Sequence, residues 1–275
     1  MRAALITGAS SGIGLATART FLQNGCAVLG VARDPAKLAA MKDACADLDS
    51  PLATAALDVM ADNAPECAVA SVLEHFGRLD HLVNNAGIGS PKPVHETDDE
   101  TLDYFLGLML RAPFRMCREA LKAFGNEATV VNVSSTYSIL GGLRGGAYSA
   151  AKAGLDGLTR HMAAQYGTSG VRCNSVAPGV IPTPMTEHRL EVEGFRRMNY
   201  DMTPAARMGT VEDVAQAIWF LSSPQSGWIN GQTLAVDGGW TTTKFLTESA
   251  LEAERALAPT DWTHSGKPPK RKDNE

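Results

Sequence analysis

No C-x-x-C pair occurs anywhere in the sequence. The five cysteines, Cys26, Cys45, Cys67, Cys117 and Cys173, are odd in number and widely spaced. That pattern argues against a disulfide framework and against a zinc site, and leaves free thiols that behave as small hydrophobes. No metal centre is expected. A basic excess is missing too: the formal net charge of −5 gives no footprint for nucleic acid. Long apolar runs are equally scarce. The first, residues 3–6, is broken at once by Thr7 and Gly8, too short for the core of a secretory signal, and nothing approaches the length of a transmembrane helix. The expectation is a cytoplasmic protein with no membrane role.

What is there reads as a globular chain. With 44% hydrophobic and 20% charged residues over 275 positions, one large α/β domain fits better than two. Residues 2–6 form an apolar run that ends in glycines; 15–24 carry Leu15, Ala18 and Leu22 on one helical face before Asn24 and Gly25 stop it. The theme repeats. Strands at 27–31, 53–57 and 79–83 alternate with helices at 35–46 and 65–76. There follow a helix over about 99–124, a strand at 129–133, a helix over about 146–167, a strand at 171–176, a helix over about 211–222 and a strand at 233–236. These strands are continuously apolar, as when helices cover both faces of a parallel sheet. The expected fold is therefore a doubly wound α/β Rossmann sheet, a single domain over residues 1–240, with its ligand at the carboxyl ends of the strands.

Two stretches fall outside the rhythm. Residues 182–208 are too long for an ordinary connection and form either a substrate lid or a surface excursion with helical packing of its own. Residues 241–275 are a C-terminal extension. Leu246, Ala250, Ala253 and Leu257 share one helical face over 243–258, and the tip KPPKRKDNE is expected to be disordered.

The turn after the first strand runs Thr7, Gly8, Ala9, Ser10, Ser11, Gly12, Ile13, Gly14. Glycines there let the backbone approach a pyrophosphate, whose charge is met by the N–H groups of the helix start. The spacing T-G-x-x-x-G-x-G, with its strand and helix in place, is more specific than the general dinucleotide fingerprint. It resembles the short-chain dehydrogenase/reductase family. Later segments extend the resemblance over residues 3–240: Asn84-Asn85-Ala86-Gly87, Ser134-Ser135 at the end of the fifth strand, Tyr148-Ser149-Ala150-Ala151-Lys152, the turn Pro178 to Pro184, and Val236-Asp237-Gly238-Gly239.

Tyr148 and Lys152, four apart, share a helix face. A phenol with a reference pKa of about 10 must come down by about 2 to 3 units to work as an acid/base near neutrality. An ammonium about 4 Å away supplies on the order of 4 kcal/mol at an effective dielectric of about 20. The resemblance implies that Ser135 holds the substrate oxygen while Tyr148 gives the proton. It implies further that Gly8, Ser10, Ser11, Gly12, Ile13, Gly14, Asp58, Val59, Asn85, Ala86, Gly87, Pro178, Gly179, Ile181 and Thr183 contact a nicotinamide dinucleotide along with Tyr148 and Lys152. Asn84 is read as purely structural. At the end of the second strand the family's acidic position falls on Ala32, and Arg33 follows; a cation there suits a 2′-phosphate, so NADP(H) is favoured. NAD(H), with Asp34 on the ribose after a one-residue slip, is the alternative.

One position departs from the family. Met109 stands where an asparagine usually seats a relay water, and a thioether cannot do that work. The leading expectation is an NADP(H)-dependent carbonyl reductase or alcohol dehydrogenase acting on a small-molecule substrate, assembled as a dimer or tetramer. The alternatives are a 3-oxoacyl thioester reductase, to which a basic patch of Arg189, Arg196 and Arg197 would lend an acidic-carrier site, and a sensor that holds NADP(H) without turnover.

Overall fold

The run AALIT at residues 3–7 is apolar at nearly every position, so an extended chain needs cover on both faces. It forms β1 (Ala3–Thr7), every residue of which is buried. The computed structural model describes residues 1–89, 92–205 and 207–242. Six further strands join β1: β2 (Ala27–Ala32), β3 (Leu52–Ala56), β4 (Leu79–Asn84), β5 (Phe124–Val133), β6 (Val171–Pro178) and β7 (Thr233–Val236). They make one parallel sheet in the order β3-β2-β1-β4-β5-β6-β7. The order reverses between β1 and β4, which opens a crevice at their carboxyl ends.

Register decides the two cores. Leu5 pairs with Leu29 and Leu82, Leu82 with Val130, and Val130 with Cys173, so this row lies on one face. Against it pack Ala68 and Val72 of α3 (Ala64–Phe76), Met116 of α5 (Ala112–Ala120), and Leu155 and Met162 of α6 (Gly146–Tyr166). The next row, Ile6, Val83 and Val131, faces the other way, toward Phe21 of α1 (Gly12–Gln23), Leu38 and Met41 of α2 (Pro35–Ala44) and Ile218 of α9 (Val211–Ser222). Each Val, Leu, Ile, Phe or Met among them, once fully buried, contributes about 1.5–3 kcal/mol. The doubly wound α/β class read from the sequence is what forms.

Two boundaries differ from the expectation, and one open alternative is decided. The helix over 99–124 is not continuous: α4 (Asp99–Leu106) passes through a π-helical turn, Gly107–Arg111, into α5, which carries Pro113 in its first turn. Proline offers no N–H to the preceding turn, and one extra residue in a wide turn absorbs the mismatch. Strand β5 starts at Phe124, because Phe124 pairs with Leu79 ahead of the apolar stretch. The excursion at 182–208 holds helical structure of its own, α7 (Glu187–Leu190) and α8 (Glu193–Asp201). The helix expected at 243–258, and the tail after it, lie outside the described residues. Among the described residues no helix is long and apolar enough to cross a membrane.

His81 of β4 is sealed between the layers. Its Nδ1 lies 2.8 Å from Thr129 Oγ1 and its ring meets Phe21 edge-on at 5.7 Å. Burial pulls the imidazole down to about 4, against a smaller upward pull from Asp80. The unfolded chain therefore binds a proton from about pH 6.5 downward while the fold resists until about 4. Stability should fall as pH drops through that window, by about 3 kcal/mol at most. Urea titrations at pH 8, 6 and 4.5 should show this slope in the wild type and its loss in His81→Leu; an equal slope in both would refute the assignment.

Candidate active site

The glycine turn is built by one close approach and one unusual dihedral. A Cβ on Gly14 would sit 2.1 Å from the Gly8 carbonyl oxygen, and Gly8 itself has φ +65°. Side chains at either place would pull the turn apart. The turn is tied to the exit of β4. Thr7 Oγ1 accepts the backbone N–H of Asn85 (3.0 Å) and Ala86 (3.1 Å), while the Asn85 amide donates to the carbonyls of Thr7 (3.0 Å) and Gly8 (3.1 Å). Helix α1 then begins after Ser11, whose side chain makes no capping bond, so its first N–H groups face the crevice uncapped.

All the residues that the resemblance assigns to the cofactor or to catalysis line a single cleft of about 390 Å³; Arg189, Arg196 and Arg197 do not line it. Gly8, Ser10, Ser11, Gly12, Ile13 and Gly14 form one side; Arg33, Asp58 and Val59 close one end; Asn85, Ala86 and Gly87 lie beside the turn; Pro178, Gly179, Ile181 and Thr183 close the other end; Ser135, Tyr148 and Lys152 line it as well. Asn84 points away into the sheet. Its Nδ2 donates to Asn132 Oδ1 (2.8 Å), and Asn132 donates on to Thr159 Oγ1 (2.8 Å), a buried chain that joins β4, β5 and α6.

Sequence reasoning missed several residues that line the same cleft. Lys37 is one: Asp34 caps α2 by accepting from Ala36 and Lys37 N–H (2.9 and 3.3 Å), which brings the Lys37 side chain to the cleft beside Arg33. The cap was legible as Asp before Pro, but the direction of the helix was not. Met109, already singled out in the sequence, lines the cleft as well. It is fully buried in the π turn and lies so close to Gly87 that a Cβ there would meet its sulfur at 3.4 Å.

The titrating groups are arranged differently from the expectation. Tyr148 is wedged edge-on between Phe105 (6.5 Å) and Tyr137 (6.1 Å). Burial pushes its phenol up; a hydrogen bond from Ser135 pulls the other way. Lys152 does not supply the expected downward pull, because its ammonium donates to the Val133 carbonyl (2.7 Å) and stands 5.7 Å from the phenol ring centroid. Desolvation brings Lys152 down to about 8, with Asp156 one turn along α6 partly opposing it. Ser138 Oγ lies 2.6 Å from the Asp156 carboxylate and 2.7 Å from the Ser135 carbonyl, so its single proton serves one or the other and ties the serine loop to α6.

Comparison with known proteins decides what this cleft belongs to. A family model described as enoyl-(acyl carrier protein) reductase matches residues 8–241. The chain belongs to the short-chain dehydrogenase/reductase family. It is 33% identical to 3beta-hydroxysteroid dehydrogenase 2 of Eggerthella lenta over 86% of this chain and 94% of that protein. It is equally 33% identical to a 3-oxoacyl-(acyl-carrier-protein) reductase of Vibrio cholerae, over 86% and 96%. A solved structure described as an NAD(P)-dependent gluconate 5-dehydrogenase from Beutenbergia cavernae, with NADP bound at low occupancy, superposes with a TM-score of 0.82 at 32% identity, covering 88% of this chain and 97% of that one. As a short-chain dehydrogenase/reductase the protein is an oxidoreductase of CH–OH and C=O groups that uses a nicotinamide cofactor.

The residues present fit such a cofactor: uncapped helix N–H groups for a pyrophosphate, a turn with no room for a Cβ at Gly8 or Gly14, and two cations beside the end of β2. Gly14→Ala should weaken NADPH binding at least tenfold in a fluorescence titration, with the far-UV spectrum unchanged. Unaltered affinity would mean that the turn tolerates a Cβ and does not set the site.

Proposed function

We propose that the protein is an NADP(H)-dependent carbonyl reductase or secondary-alcohol dehydrogenase. The observation that carries the reading is the meeting of Ser135, Tyr148 and Lys152 where the cleft adjoins a second, smaller cavity. When bound, the nicotinamide would supply or accept the hydride. The chain's own groups do the rest. Ser135 holds the substrate oxygen by a hydrogen bond, and Tyr148 delivers the proton to that oxygen on reduction or removes it on oxidation. Lys152, nearly sealed from water, orients the ribose side of the site. Burial brings its ammonium down to about 8, and the Val133 carbonyl accepts its hydrogen bond.

The preference for NADP(H) over NAD(H) rests on charge. Arg33 and Lys37 both line the cleft beyond β2, and the two carboxylates at that end accept backbone N–H groups, Asp34 as the cap of α2 and Asp58 from Met60. Two cations beside engaged carboxylates favour a 2′-phosphate. The NADP in the Beutenbergia structure supports this reading. We place the protein in the cytoplasm as a dimer or tetramer, for which the exposed Phe114 on α5 offers an apolar contact. Residues 182–208 fit a substrate lid because Met185 and Arg189 line the second cavity.

Met109 favours a second reading, a cofactor-binding sensor. A thioether fully buried at the edge of the cleft cannot order a relay water. Ser135, Tyr148 and Lys152 at one place speak for turnover.

Two experiments follow. NADPH oxidation against a panel of ketones, aldehydes and acyl thioesters should show turnover in the wild type and none in Tyr148→Phe, which should bind NADPH nearly as well because only the proton donor is gone. Full activity in Tyr148→Phe, or none in the wild type, would rule out the mechanism. Arg33→Glu should lose NADPH affinity far more than NADH affinity, by tenfold or more in the ratio; an unchanged ratio would remove Arg33 from the 2′-phosphate site.

A further inference from the structure

The second cavity is lined by two arginines whose guanidinium groups have no acidic partner among the described residues. It measures about 110 Å³, shares Ser135, Tyr148 and Gly179 with the cleft, and is walled by Tyr137, Val180, Met185 and Phe195 together with Arg144 and Arg189. No Asp or Glu lines it. Among the described residues neither guanidinium has an acidic or hydrogen-bonding partner, although most of the chain's other well-placed arginines, such as Arg19, Arg78 and Arg207, are paired. The chain as a whole is acidic, so this is a local charge rather than part of a basic surface.

The Arg189 guanidinium is nonetheless held in place, and the backbone that carries the exposed Arg144 is constrained. Arg189, on α7, lies over the ring of Phe195 on α8, 4.1 Å from its centroid. Stacking fixes the plane of a guanidinium and leaves its N–H edge free for an oxyanion. Arg144 has φ +60°, and among the described residues it is the only non-glycine in the left-handed region. A residue with a Cβ stays there only where its surroundings impose it, and such outliers gather at ligand sites.

We infer that Arg144 and Arg189 form a carboxylate subsite, so that the substrate is a small hydroxy acid or oxo acid. Its carbinol or carbonyl lies at Ser135 and Tyr148, a short apolar body lies between Met185 and Phe195, and its carboxylate is received by the two guanidinium groups. The small volume argues against a steroid nucleus or a carrier-bound acyl chain as the enclosed part, since sites for drug-sized ligands run to about 300–1,000 Å³. Guanidinium groups bind carboxylates through paired N–H···O bonds, which gives direction as well as charge. This assignment rests on the reading of Ser135 and Tyr148 as the reacting end, and the test separates the two.

Binding is measured first, without turnover. The NADP⁺-loaded protein is titrated calorimetrically with cyclohexanecarboxylate and with cyclohexanecarboxamide, which differ in charge and hardly in shape. The acid should bind at least about tenfold more tightly, the scale of one charge-assisted hydrogen bond. In Arg144→Gln and in Arg189→Gln, checked for an intact thermal melt, the ratio should fall toward 1, and Arg189→Lys should restore part of it. Equal affinity for acid and amide, no binding of either, or an unchanged ratio in both Gln variants would overturn the subsite. Reduction of 4-oxocyclohexanecarboxylate and of its carboxamide with NADPH is then followed. Preference in binding with no reduction of either ketone would keep the subsite and sink the oxidoreductase reading. Equal kcat/KM for the two ketones would do the reverse.

Discussion

The cleft depends on the joint between the glycine turn and the exit of β4. Four hydrogen bonds, two into Thr7 Oγ1 and two out of the Asn85 amide, lock the carboxyl ends of β1 and β4 together. Each contributes only about 0.5–1.5 kcal/mol net, but leaving one such buried group unpaired costs more than making it gains. The joint is thus maintained as a unit. Around it the parallel sheet reverses its strand order, and the helix start, the cations after β2 and the serine loop after β5 all face the same space. Below, the chain from Asn84 through Asn132 to Thr159 carries the rigidity on to α6, and Thr159 continues it to Ser175 of β6 (2.8 Å).

Charge inside the site is balanced by few groups. Lys152 is nearly sealed from water and lowered to about 8, yet it is not alone, since Asp156 lies one turn further along α6. That carboxylate reaches the serine loop through Ser138, and Ser138 also meets Ser134 (3.1 Å). The ammonium and the loop that carries Ser135 are therefore linked through one buried acid. A change at Asp156 would disturb the charge of one and the geometry of the other.

The π turn at Gly107–Arg111 gives the departure at position 109 a structural setting. The wide turn brings Met109 under Gly87 and beside the cleft, in a fully buried position. A side chain that departs from its family's usual amide sits in apolar surroundings here, where an unpaired amide would be costly. The same neighbourhood contains Leu108 and Ile88 in the wall of the cleft.

Much of this was legible along the chain. Continuous apolar runs such as residues 3–7 and 79–84 pointed to a parallel sheet covered on both sides, and the glycine spacing after the first run pointed to a nucleotide turn, because glycines let backbone and helix N–H groups approach a pyrophosphate. The four-residue step from Tyr148 to Lys152 also followed from helix geometry. Tertiary structure decided what sequence distance conceals. It broke the helix over 99–124 at a π turn, directed Lys152 to the Val133 carbonyl instead of the phenol, and drew Lys37 to the side of Arg33. It also brought Arg144 and Arg189, 45 positions apart in the numbering, into one cavity. The physical reason is the same in each case. Local periodicity fixes which face of an element is apolar, whereas the partner of a charged or polar group is set by packing between elements that the chain's order does not specify.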